Sequence, residues 1–227
     1  MWLRVTRNRK ITVFVLSLLF PLWVFGDPPV YFAKEIRGQV VDAETGRPLE
    51  GVVIVARWTL RWIGIGDSST GGEINTLEAV TDREGNYFIP RWGPRPRPPL
   101  AFLDNLDPEL TLFKSHFYPR RLSNRLLSYE NHNRSLTRTS EWDGKTIQMK
   151  PFKGDDWEEY AWGLLDYWSI GTSDCVRECP RFVLALIEED KRIQSVAPKG
   201  KHFPIVVNIE RISKSDQEFL RQIKTGN

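Results

Sequence analysis

The chain of 227 residues has two cysteines and three histidines, and this scarcity removes several chemistries at once. Cys175 and Cys179, in "SDCVRECPRF", are too few for a structural zinc site, which takes about four ligands. They are also separated by three residues, not the two of a C-x-x-C redox pair. No G-x-S-x-G, P-loop or H-E-x-x-H motif occurs. Apart from one stretch near the N-terminus there is no long apolar run. That run, Ile11 to Phe25, is 15 residues, short of the roughly 20 that a membrane-spanning helix needs. A basic surplus is missing too. Four of the 32 basic residues (Arg4, Arg7, Arg9 and Lys10) lie in residues 1–26, which hold no acid, so the remainder falls one short of the 29 acids. A nucleic-acid binder would keep its positive charge in the folded part, so nucleic acid is not expected as a partner.

What is present points to an exported, well-packed protein. Hydrophobic residues make up 41% of the chain and tryptophans number nine, enough for a substantial core. "MWLRVTRNRK" followed by the apolar run has the layout of a secretory signal, with Val24 and Gly26 small enough for cleavage before Asp27. Pro21 and Phe25 are imperfect for processing, and an uncleaved anchor is the alternative. In that case the protein would meet the membrane through residues 1–26 alone. In an oxidising compartment Cys175 and Cys179 are expected to form a disulfide closing a small loop just before a helix that starts at Pro180. Free buried thiols are the other reading.

The body reads as strands. "EIRGQVV" is followed by the turn-rich "DAETGRPLEG" and then by "VVIVARW", apolar on both faces, as a strand buried on two sides would be. "TLEAVTD" alternates, and "DREGNYFIP" is a turn and a returning strand. "ELTLFKS" and "GKTIQMKP" are further strands. Between them, residues 59–75 read as a glycine-rich insertion. The four prolines of "RWGPRPRPPL" (91–100) give an extended loop that cannot continue a strand, and 115–140 reads as an irregular basic loop. After Phe152 the spacing of Trp157, Tyr160, Leu164, Leu165 and Trp168 is helical, with Asp155 and Asp156 at the positive end. A second helix from about Pro180 to Ser195 carries an apolar stripe, with Glu188, Glu189, Asp190, Lys191 and Arg192 largely solvated. A short strand at 205–209 and a polar helix complete the chain.

One pattern resembles a known family. "IRGQVVDAETGRPLEGVVIVARW" with "AVTDREGNYFIPRW" is similar to the carboxypeptidase regulatory-like domain through Gly38, Val40, Asp42, Thr45, Gly46, Pro48, Leu49, Gly51 and Val52, then Thr81, Asp82, Gly85 and Tyr87. The turn "HFYP" lacks the glycine of the family's corresponding "pGY" turn. The resemblance covers about residues 35–151 and implies a mainly β, transthyretin-like, seven-stranded sandwich without catalytic machinery or cofactor. A helical C-terminal extension would then occupy 152–227. In metallocarboxypeptidases the zinc enzyme is a separate domain with an H-x-x-E motif. None of His116, His132 and His202 begins one, and the chain does not end in the Y-R-G-S of transthyretin-like ureide hydrolases.

The remaining side chains have plain readings beside sharper ones. Asp82, Glu84 and Asn86 alternate like calcium ligands, but a hairpin turn explains them more simply. Asp155, Asp156, Glu158 and Glu159 suit a helix start better than paired catalytic carboxylates. His116 either lines a ligand surface or packs on aromatics at a strand end. Binding residues concentrate on loops over a rigid sandwich, which makes Trp62, Trp92, His116 and Tyr118 the candidate contact residues. The expected function is a non-enzymatic module of the bacterial periplasm or cell surface that binds an envelope protein or glycan. A small hydrolase using His116, or a membrane-tethered assembly component, are the alternatives.

Overall fold

The turn chemistry read from the sequence is what ties the fold together. In the computed structural model, which describes residues 30–62, 70–104, 106–124, 135–154, 156–168, 172–196 and 212–226 (main chain only at 70–71, 165–168 and 172–174), Asp42 Oδ1 accepts from Glu44 N at 2.7 Å and Thr45 N at 3.0 Å. Those backbone bonds hold the Asp42 carboxyl below the usual aspartate range. Thr81 Oγ1 accepts from Val52 N at 2.8 Å and donates to Leu49 O at 2.6 Å, joining two segments far apart in sequence. Asp82 Oδ1 accepts from Asn86 N at 2.8 Å, an Asx-type turn. Gly85, at φ 74°, lies so close to the neighbouring chain that a Cβ would sit 2.5 Å from Val40 O. Asp82 and Gly85 therefore build a tight turn, but not the hairpin expected from the sequence: the strand that follows pairs with Ile36–Gln39, in the opposite layer from the strand before it.

Two layers result. One is a four-stranded path in the order β4 (Thr70–Val80), β3 (Val53–Trp62), β8 (Glu109–Phe113), β9 (Arg120–Leu122), with β7 (Ala101–Leu103) paired to the far end of β3. The other consists of two three-stranded sheets, β10-β1-β6 and β11-β2-β5. Their strands are β1 (Val30–Ala33), β2 (Ile36–Asp42), β5 (Asn86–Ile89), β6 (Trp92–Pro96), β10 (Thr137–Arg138) and β11 (Lys145–Met149). Each strand of the first sheet runs on in the chain into its counterpart in the second. The antiparallel register is kept across the break: Ala33 pairs with Trp92, and three residues further along each strand Ile36 pairs with Ile89. The third strand carries two extra residues, since Ala33 pairs with Arg138 but Gly38 with Lys145. The layer is thus one three-stranded sheet bent at Lys34–Glu35, Pro90–Arg91 and 139–144. Counted this way the sandwich has three strands facing four.

Alternation along β3 explains why both its faces are apolar. Ile54, Ala56, Trp58 and Leu60 point into the sandwich core with Val40, Ile89, Leu112 and Ile147. Val53 and Val55 point the other way, where with Phe113 they meet the C-terminal helices. These are α1 (Trp157–Trp168), α2 (Thr172–Glu178), α3 (Pro180–Val196) and α4 (Lys214–Thr225). Phe182 meets Phe113 edge-on at 6.3 Å, and Tyr160 stacks on Phe152 at 4.1 Å. The protein is a mainly β sandwich with a helical C-terminal extension packed on one sheet. Among the described residues no helix is long and apolar enough to cross a membrane.

Several sequence expectations are corrected. Residues 59–62 and 70–75 are not loop: they extend β3 and β4 into a long hairpin, because Leu60 is buried and pairs with Leu103. The proline segment does continue a strand. Trp92–Pro96 forms β6, which works because among the described residues β6 is an edge strand paired with β1 alone, where missing N–H groups cost little. The basic 115–140 stretch contributes β9 and β10. The cysteines do form a disulfide, but not in a loop. Cys175 lies inside α2, and Cys179 is the single residue between α2 and α3, its N–H bonded to Cys175 O at 2.7 Å. The expected signal segment 1–26, residues 63–69 and 125–134, Asp155, His132, His202 and the strand expected at 205–209 lie outside the described residues.

Candidate binding groove

The bend in the three-stranded sheet leaves a groove. Strand pairing stops at Lys34–Glu35, and a cavity of about 730 Å³ opens there, lined by Lys34, Glu35, Arg91, Trp92, Thr137 and Asp143 among others. The interrupted ladder is bridged by a side chain: Arg37 N donates to Asp143 Oδ1 at 2.9 Å, and the next residue closes the gap with Gly144 N to Arg37 O at 2.7 Å. Arg37 in turn pairs with Glu35 at 3.2 Å and lies over the Phe88 ring, 4.4 Å from its centroid. Beyond the Asp143–Gly144 turn lies a second depression of about 690 Å³, lined by Arg37, Phe88, Asn86 and Lys145. Between its walls, Gly38 lets the Tyr87 side chain lie against the sheet: a Cβ there would be 2.7 Å from Tyr87 Oη and 2.8 Å from Lys145 O. Burial raises the Tyr87 phenol above its ordinary value, with the nearby Asp143 charge adding to the effect.

The four candidate contact residues are not brought together. Trp92 lines the groove and meets the buried Trp58 edge-on at 5.2 Å. Trp62 ends β3 beside Ala101, 39% exposed. His116 is an exposed turn residue at φ 65°, occupying a left-handed position that favours glycine, and its carbonyl accepts from Phe152 N at 2.7 Å. Among the described residues the His116 imidazole has no carboxylate partner. Tyr118 is half-buried and packs in an aromatic cluster, edge-on to Phe152 at 5.6 Å and to Tyr160 at 5.8 Å.

A buried polar cluster was missed by the sequence reading. Glu189, expected to be solvated, is 1% exposed. It accepts from Tyr160 Oη at 2.6 Å, from Ser115 Oγ at 2.5 Å and from the Arg192 guanidinium. Burial alone would raise its carboxyl, but the bonds from Arg192, Ser115 and Tyr160 outweigh that and hold it below the usual glutamate range. Glu78 of β4 supplies a second tie. Its carboxylate accepts from Phe182 N at 2.6 Å and Arg181 N at 3.3 Å, so the sandwich caps the first turn of α3. Burial raises the Glu78 carboxyl, against the effect of those two N–H groups. These polar residues fasten the helices to the sandwich, and the spacing of Tyr160 to the apolar stripe of α1 was the one sequence sign of it.

No protein-family model matches the chain, and no curated protein matches it. Among solved structures, it is similar to a 3-chlorocatechol 1,2-dioxygenase from Rhodococcus opacus 1CP at 16% identity, over 53% of this chain and 59% of that one, with a TM-score of 0.27. It is also similar to the C-terminal domain of a shaft pilin from Lactobacillus rhamnosus GG at 13% identity, over 55% of this chain and 99% of that one, with a TM-score of 0.25. A 9R-lipoxygenase from Cyanothece PCC8801 matches at 13% identity over 75% of this chain and 27% of its own, with a TM-score of 0.24. The chain spans about three fifths of the length of the dioxygenase. Likenesses this slight carry no argument about activity.

Proposed function

We propose that this protein is an exported, non-enzymatic binding module of the cell envelope, built on a transthyretin-like sandwich of the carboxypeptidase regulatory-like kind, with the groove at the sheet bend as its contact site. The observation that carries this reading is the bend itself. Three strands break at the same level while two keep register, and the opening exposes charged side chains that the core does not use. Elsewhere the distinctive residues are occupied by architecture: Asp42, Thr81, Asp82 and Gly85 in turns, Glu78 and Glu189 in fastening the helices. The basic, apolar N-terminal segment and the Cys175–Cys179 disulfide support an oxidising compartment.

The test is co-sedimentation of the purified chain with envelope material from the cells that make it. The wild type is expected in the pellet. Lys34→Glu with Arg91→Glu is expected to remain in the supernatant while keeping the wild-type melting temperature. Equal pelleting of both proteins would show that the contact lies elsewhere.

A further inference from the structure

We infer that the groove takes a polysaccharide bearing carboxylates, an inference that rests on the groove being the contact site. Four cationic side chains surround the Asp143–Gly144 turn: Lys34 and Arg91 on one side, Arg37 and Lys145 on the other. Two carboxylates stand among them, and both have partners. Glu35 pairs with Arg37, and Asp143 accepts from the Arg37 N–H. Asp82, at the far end of the second depression, holds its own turn through Asn86. Lys34, Arg91 and Lys145 make no ion pair to any described carboxylate. The site thus offers a surplus of positive charge in a protein whose folded part has none overall, and an anionic ligand is its complement.

Two features select a glycan over an acidic peptide. An extended peptide gains much of its affinity by adding a strand to a sheet edge. At the 730 Å³ cavity, between Lys34 and Arg91, the sheet edge is β6, where Pro94 and Pro96 have no N–H to donate, so strand addition is obstructed there. Recognition at that cavity must then come from side chains over an open surface. Phe88, 46% exposed beneath the Arg37 guanidinium, presents a ring against which the C–H face of a sugar can lie, while the flanking cations meet its carboxylates.

Titration of the full chain with a uronic-acid oligosaccharide, a neutral malto-oligosaccharide and a poly-glutamate peptide tests this. The acidic sugar is expected to bind, weakening as salt rises. Its affinity is expected to fall at least tenfold in the Lys34→Glu, Arg91→Glu double variant and to be unchanged in Arg47→Glu, Arg83→Glu, which reverses two exposed charges on the turns around 42–51 and 82–86. Should the reversed-charge protein unfold, Lys34→Gln with Arg91→Gln is expected to show a smaller loss. No binding of the acidic sugar, equal loss in the control variant, or poly-glutamate binding as tight as the sugar would each overturn the inference. Groove-dependent envelope binding without acidic-sugar binding would sink this inference and leave the contact site standing.

Discussion

Gly38 and Glu189 show how single residues set the packing of each layer. At Gly38 any side chain collides with the Tyr87 ring and with Lys145 O, so Gly38→Ala must push β11 or Tyr87 away from β2. Overpacking of this kind costs about 1–3 kcal/mol, and urea unfolding is expected to show a loss in that range; a loss under half a kcal/mol would mean that Tyr87 moves freely. At Glu189, replacement by Gln removes the charge that Arg192 meets. Because the Arg192 side chain keeps 22% of its surface exposed it can rehydrate, and the expected loss is about 2 kcal/mol rather than the full cost of stranding a buried ion. The pH dependence has a definite sign. The Glu189 carboxyl lies below the usual range in the folded state, so in the window between that lowered value and about 4.3, the unfolded glutamate value, the unfolded chain binds more protons. Its contribution is present above that window and is lost as pH falls through it. Glu78, raised by burial, works oppositely and eases as it protonates. Glu189→Gln is therefore expected to flatten the acid arm of the stability curve below about pH 4, and an unchanged arm would remove Glu189 from the account.

At the scale of elements, the turns were legible in the sequence, while the full length of the β3–β4 hairpin and the bend were not. Asp42, Asp82 and Gly85 act within a few residues of themselves, so their pattern reports the turns directly, whereas Thr81 reaches across some thirty residues to Leu49 and Val52. The bend depends on three segments stopping together, which no local window contains. Prolines 94 and 96 misled for a related reason, since whether proline breaks a strand depends on whether a neighbour needs its N–H. Glu189 is not legible as buried because two of its three partners, Ser115 and Tyr160, come from other parts of the chain, while its sequence neighbours Glu188 and Lys191 are exposed. Two expectations belong to this scale. Glu78→Ala removes the acceptor at the start of α3 and is expected to cost about 1 kcal/mol, with faster amide exchange at Arg181 and Phe182 as the local sign; unchanged exchange there would discount the cap. Replacing Cys175 and Cys179 by serine opens a loop of only a few residues, for which about 2 kcal/mol is expected in the loop-entropy picture. A collapse of all helical signal in that variant would mean that the disulfide, rather than the apolar face of α3, holds the extension.

For the whole molecule, the two cores divide the surface. The helices cover the outer face of β3 and β8 through Val53, Val55 and Phe113, which takes one sheet out of contact with partners. The bent sheet opposite remains open, and its groove carries the unpaired cations. Fold class and the helical extension follow from apolar spacing and turn residues, while the contact site emerges only when Lys34, Arg91 and Asp143, more than a hundred residues apart at the extremes, meet at one level of a sheet. The most direct measurement is side-chain footprinting of the full chain, free and bound to envelope material. Protection is expected at Lys34, Phe88, Arg91 and Lys145, with Trp62, Leu100 and Trp162 labelled equally in both states. Protection of Trp162, or of Trp62 with Leu100, while the groove residues stay reactive would contradict the account.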